Sequence, residues 1–216
     1  MNILVIGSEL NLQECQLKFG DAHSYKMNER HSTNDSLTQH DVIFDFVIES
    51  DPSQIKIYNT LSNTTLFLNT AKVTLARLNS NASLSCPVFG FVGLPTFLNR
   101  SLLETSVYKP PQKSALEGIC KRLDTKFQIV EDRVGMITPR VICMIINEAY
   151  FTVEEGTATR EDIDLAMKLG TNYPYGPFEW CQKIGPRHVY ELLTSVYADT
   201  KDERYKTCSL LKAEFI

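Results

Sequence analysis

The chain has 216 residues, 43% of them hydrophobic, a formal net charge of −4 and a sequence pI near 5.6. This length is sufficient for one large or two small hydrophobic cores. The acidic balance predicts no binding of nucleic acid or of anionic membrane surfaces. No apolar run approaches the roughly 20 residues that a membrane helix needs.

Targeting and metal signals are also missing from the sequence. Met1–Gly7 enters a strand pattern without a basic region, which predicts no signal peptide. Six scattered cysteines contain no CxxC pair, so we expect reduced thiols in a cytoplasmic protein. The spacing of His23, His31 and His40 fits no single face of a helix or strand, and we expect no metal site.

Short apolar runs alternate with short helical patterns through the first half of the chain. Strands are predicted at Ile3–Ile6, Asp41–Ile48, Thr65–Leu68, Pro87–Val92 and Leu102–Val107. This alternation indicates a doubly wound α/β sheet, whose sites lie beyond the carboxyl ends of the strands. The residues in such positions are Gly7, Glu49, Asn69, Val92 and Gly93.

The first strand–helix turn reads Gly7-Ser8-Glu9-Leu10-Asn11-Leu12. A dinucleotide site would carry G-x-G-x-x-G there, with glycines that let the backbone approach the pyrophosphate. Only Gly7 fits, because Glu9 brings a negative charge and Leu12 a bulky side chain. The favoured interpretation is a turn without a ligand. Glu29 is the candidate ribose-binding acid, within a stretch (residues 20–41) that we expect to be a solvated loop with at most a short strand.

Helical patterns dominate from Lys109 onward, apart from a short strand at Phe127–Val130. Pro139 suits a first helical turn, and Thr159 suits an N-cap. The sequence therefore predicts a helical domain at residues 109–216, after an α/β domain at residues 1–108.

A set of motifs in the second half resembles the C-terminal domain of 3-hydroxyacyl-CoA dehydrogenases. These motifs are Gly135-Met136-Ile137, Arg140, Asn147-Glu148-Ala149, Glu155-Gly156, Glu161–Asp164, Ala166–Gly170 and Tyr173–Glu179. The first half resembles the same family more faintly, through Asp41–Glu49, Asn69-Thr70 and Pro87–Val92. The resemblance implies a trimmed Rossmann-like domain followed by a helical domain of the 6-phosphogluconate-dehydrogenase-like type.

The family's reaction is oxidation of a 3-hydroxyacyl-CoA by hydride transfer to NAD. A histidine acts as general base and a glutamate orients it. Val92 stands at the histidine's position, in a segment one residue shorter than the family's. Glu104 stands at the glutamate's position. Pro139 replaces an asparagine, and Ala71 or Lys72 replaces a serine that holds the acyl carbonyl.

The resemblance also implies cofactor and partner contacts. Gly7, Glu49, Lys56 and Asn69 fall at places that the family uses for NAD. An acyl-CoA-type ligand and a homodimer formed through the helical domain are implied in the same way.

Three hypotheses follow. The first is a degenerate family member without normal dehydrogenase activity. The second is an active oxidoreductase with a reassigned base, either Glu104 or one of His23, His31 and His40. The third is a non-catalytic interaction protein that dimerises through its helices.

Overall fold

The computed structural model describes residues 1–31, 37–80, 82–108 and 112–215. The chain divides into two compact units, Met1–Met136 and Ile137–Ile216. The boundary predicted from the sequence falls next to residues 109–111, which lie outside the described residues. The compact units separate later in the chain, because residues before Met136 supply a strand to the sheet of the first unit.

Within the described residues, the first unit contains seven strands. They are β1 (Asn2–Ile6), β2 (Ser24–Asn28), β3 (Val42–Asp45), β4 (Thr65–Asn69), β5 (Val88–Phe91), β6 (Leu102–Val107) and β7 (Lys126–Val130). They form one sheet in the order β2-β1-β3-β4-β5-β6-β7. All neighbours are parallel except β5 and β6. The predicted doubly wound sheet is confirmed.

The strand order reverses at β1, which lies between β2 and β3. The register places Ile6 opposite both Asn28 and Asp45, so the carboxyl ends of these three strands meet. In an open α/β sheet, ligands bind at such a point. The turn that follows β1 is therefore the first place to look for a site.

Both faces of the sheet are covered, which explains why its central strands are continuous apolar runs. One face is rich in phenylalanine: the ring centroids of Phe44 and Phe67 lie 4.7 Å apart, and Phe91 meets Phe44 edge-on at 5.5 Å. The other face packs leucine and isoleucine side chains around the buried Tyr58. Each such side chain contributes roughly 1.5–3 kcal/mol when fully buried.

The helices of the first unit are α1 (Glu9–Phe19), α2 (Leu75–Asn79) and α3 (Lys113–Arg122), with 3-10 helices at Leu37–Gln39 and Pro52–Thr60. Helix α1 ends at Phe19, directly before Gly20. The helix that follows β3 is of the 3-10 type and carries Pro52 in its first turn.

The second unit is helical throughout its described residues. Its α-helices are α4 (Thr138–Glu154), α5 (Arg160–Thr171), α6 (Pro177–Ile184), α7 (Pro186–Thr200) and α8 (Ser209–Phe215). Thr159 caps α5 as predicted, accepting from the Asp162 N–H at 3.2 Å. Helix α5 ends at Thr171, and the left-handed residue that follows it is Asn172. No helix in the described part of the chain is long and apolar enough to cross a membrane.

Candidate functional site

The turn after β1 is closed by a side chain from α1. The backbone N–H and the hydroxyl of Ser8 donate to the carboxamide oxygen of Asn11, at 2.8 and 2.9 Å. Ser8 is the N-cap of α1, so Asn11 takes donors that an anion at the helix N-terminus would use. A β-carbon on Gly7 would lie 2.6 Å from the same Asn11 oxygen. The space above Gly7 therefore holds Asn11.

The two residues that the sequence marked as obstructions behave differently from each other. Glu9 is exposed at the start of α1, and Leu12 is half-buried against the phenylalanine-rich core. Sequence reasoning missed Asn11, which lies closest to Gly7. The available signal was the spacing of Ser8 and Asn11, which is that of a capping box with asparagine in place of Glu or Gln.

A polar network joins the ends of β3, β4 and β5. The Asn69 amide donates to the Glu49 carboxylate at 3.1 Å, and the Asn69 oxygen accepts from the Gly93 N–H at 2.9 Å. The Lys72 backbone N–H also donates to Glu49, and its ammonium lies 3.7 Å from the carboxylate. The structure thus brings the predicted residues Glu49 and Asn69 together, whereas Lys56 is exposed on its 3-10 helix.

The positions assigned to the family's catalytic pair are neighbours in the sheet. Phe91 pairs with Thr105 in the antiparallel β5–β6 ladder, so Val92 and Glu104 occupy the next positions of the same register. Val92 is 3% exposed and Glu104 is half-buried. A buried aliphatic side chain and a half-buried carboxylate therefore stand at these two adjacent positions.

Two other residues that the resemblance predicted to replace polar residues of the family are also buried. Ala71 is fully buried, and its carbonyl accepts from the Gly135 N–H at 2.8 Å. Pro139 is buried in the first turn of α4. Neither residue has a side-chain group that donates or accepts a hydrogen bond.

The loop after β5 is fastened to α1. The Thr96 N–H donates to the Glu14 carboxylate at 2.7 Å, and the Lys18 ammonium donates to the Arg100 carbonyl. Thr96 has φ +73°, an uncommon left-handed conformation for a β-branched residue. Burial raises the pKa of the Glu14 carboxyl, against the opposing effect of the Thr96 hydrogen bond. These contacts hold the loop after β5 against α1.

The histidines lie at different edges of the sheet. His23 precedes β2 and His40 precedes β3, so both are at the amino ends of parallel strands. His31 follows β2 at the carboxyl edge. Its Nε2 lies 2.7 Å from the Asp45 carboxylate, which also accepts from the Tyr58 hydroxyl at 2.8 Å. Among the described residues, no group of three or more His, Cys, Asp or Glu side chains is arranged to hold a metal.

A cleft of about 410 Å³ lies between the loops that follow β2 and β3. Its lining includes Glu29, Arg30, His31, Val47 and Gln54. The fully buried Asp45 carboxylate forms the support of one wall, since it accepts from the N–H groups of Val47 and Ile48 at 3.0 and 2.9 Å. The cleft therefore lies beside the carboxyl end of β1, and hydrogen bonds to Asp45 fix one of its walls.

The family motifs in the second unit serve its packing. The Asp164 carboxylate accepts from the N–H groups of Phe178 and Glu179, at 2.8 and 3.1 Å, and so caps α6. A β-carbon on Gly176 would lie 2.2 Å from that carboxylate. The buried Asn147 amide donates to the Lys206 carbonyl at 2.8 Å and holds the C-terminal segment. These residues define a fold rather than a reacting centre.

Comparison with known proteins supports the family resemblance of the second unit. A profile of the 3-hydroxyacyl-CoA dehydrogenase C-terminal domain matches residues 135–215. The 3-hydroxyadipyl-CoA dehydrogenase of Escherichia coli is 43% identical over 83 residues, which are 38% of this chain and 18% of that protein. The mitochondrial hydroxyacyl-coenzyme A dehydrogenase of Mus musculus is 30% identical over 156 residues, 65% of this chain and 49% of that protein. Residues 135–215 thus match the C-terminal domain of 3-hydroxyacyl-CoA dehydrogenases, and the chain is similar to enzymes of that family.

Similarity to solved structures extends over both units. The (S)-3-hydroxybutyryl-CoA dehydrogenase of Ralstonia eutropha matches 98% of this chain and 92% of its own, with a TM-score of 0.76 and 18% identity. That similarity shows the fold. By sequence, the chain matches less than two thirds of the length of either curated relative.

Proposed function

We propose that this chain is a member of the 3-hydroxyacyl-CoA dehydrogenase family that has lost hydride transfer between a 3-hydroxyacyl-CoA and NAD. The observation that carries the proposal is Val92, a buried aliphatic residue at the place of the histidine base. General base catalysis contributes roughly 10²–10⁴-fold to a rate. Glu104 is retained, but its family role is to orient a histidine that this chain lacks.

The arrangement around Gly7 supports a parallel loss of NAD binding. Asn11 takes the Ser8 donors and occupies the space above Gly7. Glu9 adds a negative charge to the same turn, where it repels a pyrophosphate. Glu49 and Asn69, the other predicted cofactor contacts, bond to each other. The residues present therefore do not fit a dinucleotide pyrophosphate.

The alternative of a reassigned base receives little support from the sheet. His23 and His40 lie at its amino edge. His31 follows β2, which is four strand positions from β5 and thus about 19 Å from the place of Val92. Its ring is also bonded to Asp45. Glu104 remains the one candidate close to the reacting position.

Without hydride transfer, the roles that we propose for the chain are ligand binding and self-association within fatty acid metabolism. An acyl-CoA-type ligand is the family's class of substrate. The helical unit offers apolar surface for a homodimer, because Val141, Leu165 and Leu169 are 53%, 54% and 78% exposed. None of the residues of α5 is buried within this chain.

The decisive experiment is an assay of NADH oxidation with acetoacetyl-CoA, followed by absorbance, together with an NADH fluorescence titration. The R. eutropha enzyme serves as the positive control. We expect neither turnover nor saturable NADH binding. Turnover that depends on acetoacetyl-CoA and disappears in Glu104→Gln would establish the reassigned-base alternative instead.

A further inference from the structure

We propose that Lys72 is a nucleophilic amine that forms a reversible imine with the keto group of a small carbonyl compound, and that Glu49 transfers the protons of this reaction. The inference goes beyond the proposed loss of hydride transfer, because imine formation needs neither NAD nor a histidine at residue 92. It assigns covalent chemistry to two residues that the proposed function leaves without a chemical role.

Lys72 and Glu49 lie beyond the carboxyl ends of two adjacent parallel strands. Asp45 at the end of β3 pairs with Leu68 of β4, and each of the two residues stands four positions further along the chain. Strand β4 is the central strand of the seven-stranded sheet. Open α/β sheets bind their ligands at this edge. The Lys72 amine therefore stands where a bound ligand is expected.

The Lys72 side chain is largely shielded from water but not closed off. It is 20% exposed, and the Glu49 side chain is 6% exposed. The residues on either side of it in the chain, Ala71 and Val73, are buried. A small ligand can therefore reach the amine. Removal from water is one of the ways in which proteins activate a lysine amine for imine formation.

The Glu49 carboxylate is fixed by donors other than the ammonium. It accepts from the Asn69 amide at 3.1 Å and from the Lys72 backbone N–H. Asn69 is itself buried, and its oxygen accepts from the Gly93 N–H at 2.9 Å. The carboxylate and the Lys72 ammonium lie 3.7 Å apart, which is longer than a charge-assisted hydrogen bond of about 2.7–2.9 Å. The carboxylate is thus placed to exchange a proton with the amine, directly or through one water molecule.

The proposed reaction is a condensation without any change of oxidation state. Glu49 takes a proton from the Lys72 ammonium, and the neutral amine adds to the carbonyl carbon. One nitrogen-bound proton moves to the oxygen, which gives a carbinolamine. Glu49 then returns its proton to the carbinolamine hydroxyl, the C–O bond breaks and water leaves. The product is a protonated imine, and hydrolysis reverses every step.

The proposal is tested by reductive trapping on the full chain with sodium cyanoborohydride and acetoacetyl-CoA, which supplies a ketone. Reduction of the imine leaves a stable secondary amine, so the trapped protein gains the mass of the ligand less one oxygen atom. Mass spectrometry of the intact protein measures this gain, and peptide mapping locates it. We expect an adduct at Lys72 that forms at least about tenfold faster than at the exposed Lys121 of α3. No adduct, or equal trapping at the two lysines, would overturn the proposal.

Substitutions separate the roles of the two residues. Lys72→Arg keeps the positive charge but removes the nucleophilic amine, so it should abolish trapping at this position. Glu49→Gln should slow trapping roughly 100-fold or more, since it removes the group that transfers protons. Lys121→Arg is the matched control and should leave the adduct at Lys72 unchanged.

Circular dichroism establishes that each variant is folded. An unchanged yield of adduct in folded Lys72→Arg would refute the assignment of the amine, and an unchanged rate in folded Glu49→Gln would refute the proton transfer. Lys72→Arg and the peptide map decide which amine reacts even where Glu49→Gln does not fold. Trapping uses no NADH, so its failure is distinguishable from a failure of the proposed loss of hydride transfer.

Discussion

The carboxamide oxygen of Asn11 lies 2.6 Å from the point that a β-carbon on Gly7 would occupy. In a dinucleotide-binding turn, a glycine here leaves space for a ligand. In this chain the same glycine leaves space for a side chain of the chain itself. The small glycine in this turn therefore accommodates an internal helix cap.

This relationship predicts that Gly7 and Asn11 are energetically coupled. Gly7→Ala should lower the free energy of unfolding by about 1–3 kcal/mol, because the added methyl group displaces the Asn11 cap. Asn11→Ala should cost about 1 kcal/mol through loss of the cap. The double variant should cost less than the sum, as measured by urea denaturation. Strict additivity of the two losses would contradict the proposed contact.

Restoring the histidine at residue 92 should not restore the reaction. Val92→His places an imidazole in a site that is 3% exposed. Burying a polar ring without a partner costs about 1–3 kcal/mol. We therefore expect a lower free energy of unfolding and no NADH oxidation with acetoacetyl-CoA. Val92→Ile, which keeps the site apolar, controls for packing changes. Measurable turnover by Val92→His would show that the rest of the site, including cofactor binding, is intact.

The contact between Glu14 and Thr96 predicts a particular pH dependence. Burial raises the pKa of Glu14 above its ordinary value of 4.5. The folded chain therefore holds this proton to a higher pH than the unfolded chain does. The stabilising contribution of Glu14 is complete below 4.5 and is lost as pH rises through the raised value.

Glu14→Gln removes this titration while keeping an oxygen for the Thr96 N–H. Relative to the unmodified chain, the variant should gain free energy of unfolding as pH rises from 4.5 toward neutrality. Urea denaturation at a series of pH values measures the difference. Glu117→Gln, on the exposed face of α3, should show no such gain. A constant difference between Glu14→Gln and the unmodified chain would contradict the burial of an ionisable Glu14.

Local patterns were sufficient to predict much of the fold. The run Ile3–Ile6 and the strand within Asp41–Ile48 are buried on both faces, and apolar continuity is the direct consequence of such burial. Thr159 and Gly156 mark helix ends because capping depends on residues close in sequence. The same short-range rules located Gly7, Glu49 and Asn69 at one edge of the sheet.

Those short-range rules do not predict contacts between segments that are distant in sequence. Phe127–Val130 was predicted as a strand, but its place in the sheet is shown only by its pairing with β6. Because this strand belongs to the sheet, the first unit extends to Met136. The bond between His31 and Asp45 depends on how two loops meet. Asn11 falls at a variable position of the dinucleotide motif, so that motif gives no sign of its capping role.

The exposed leucines of α5 predict self-association through the helical unit. Leu165 and Leu169 are 54% and 78% exposed, one helical turn apart. Replacing both with lysine should convert a dimer to a monomer without loss of helix content, because neither side chain is buried within the chain. Sedimentation velocity measures the mass, and circular dichroism measures the helix content. Leu10 and Leu17 in α1 are 69% and 71% exposed, so their replacement with lysine is a matched control that should leave the dimer intact. A monomeric unmodified chain, or equal dissociation by both pairs of substitutions, would contradict an interface on α5.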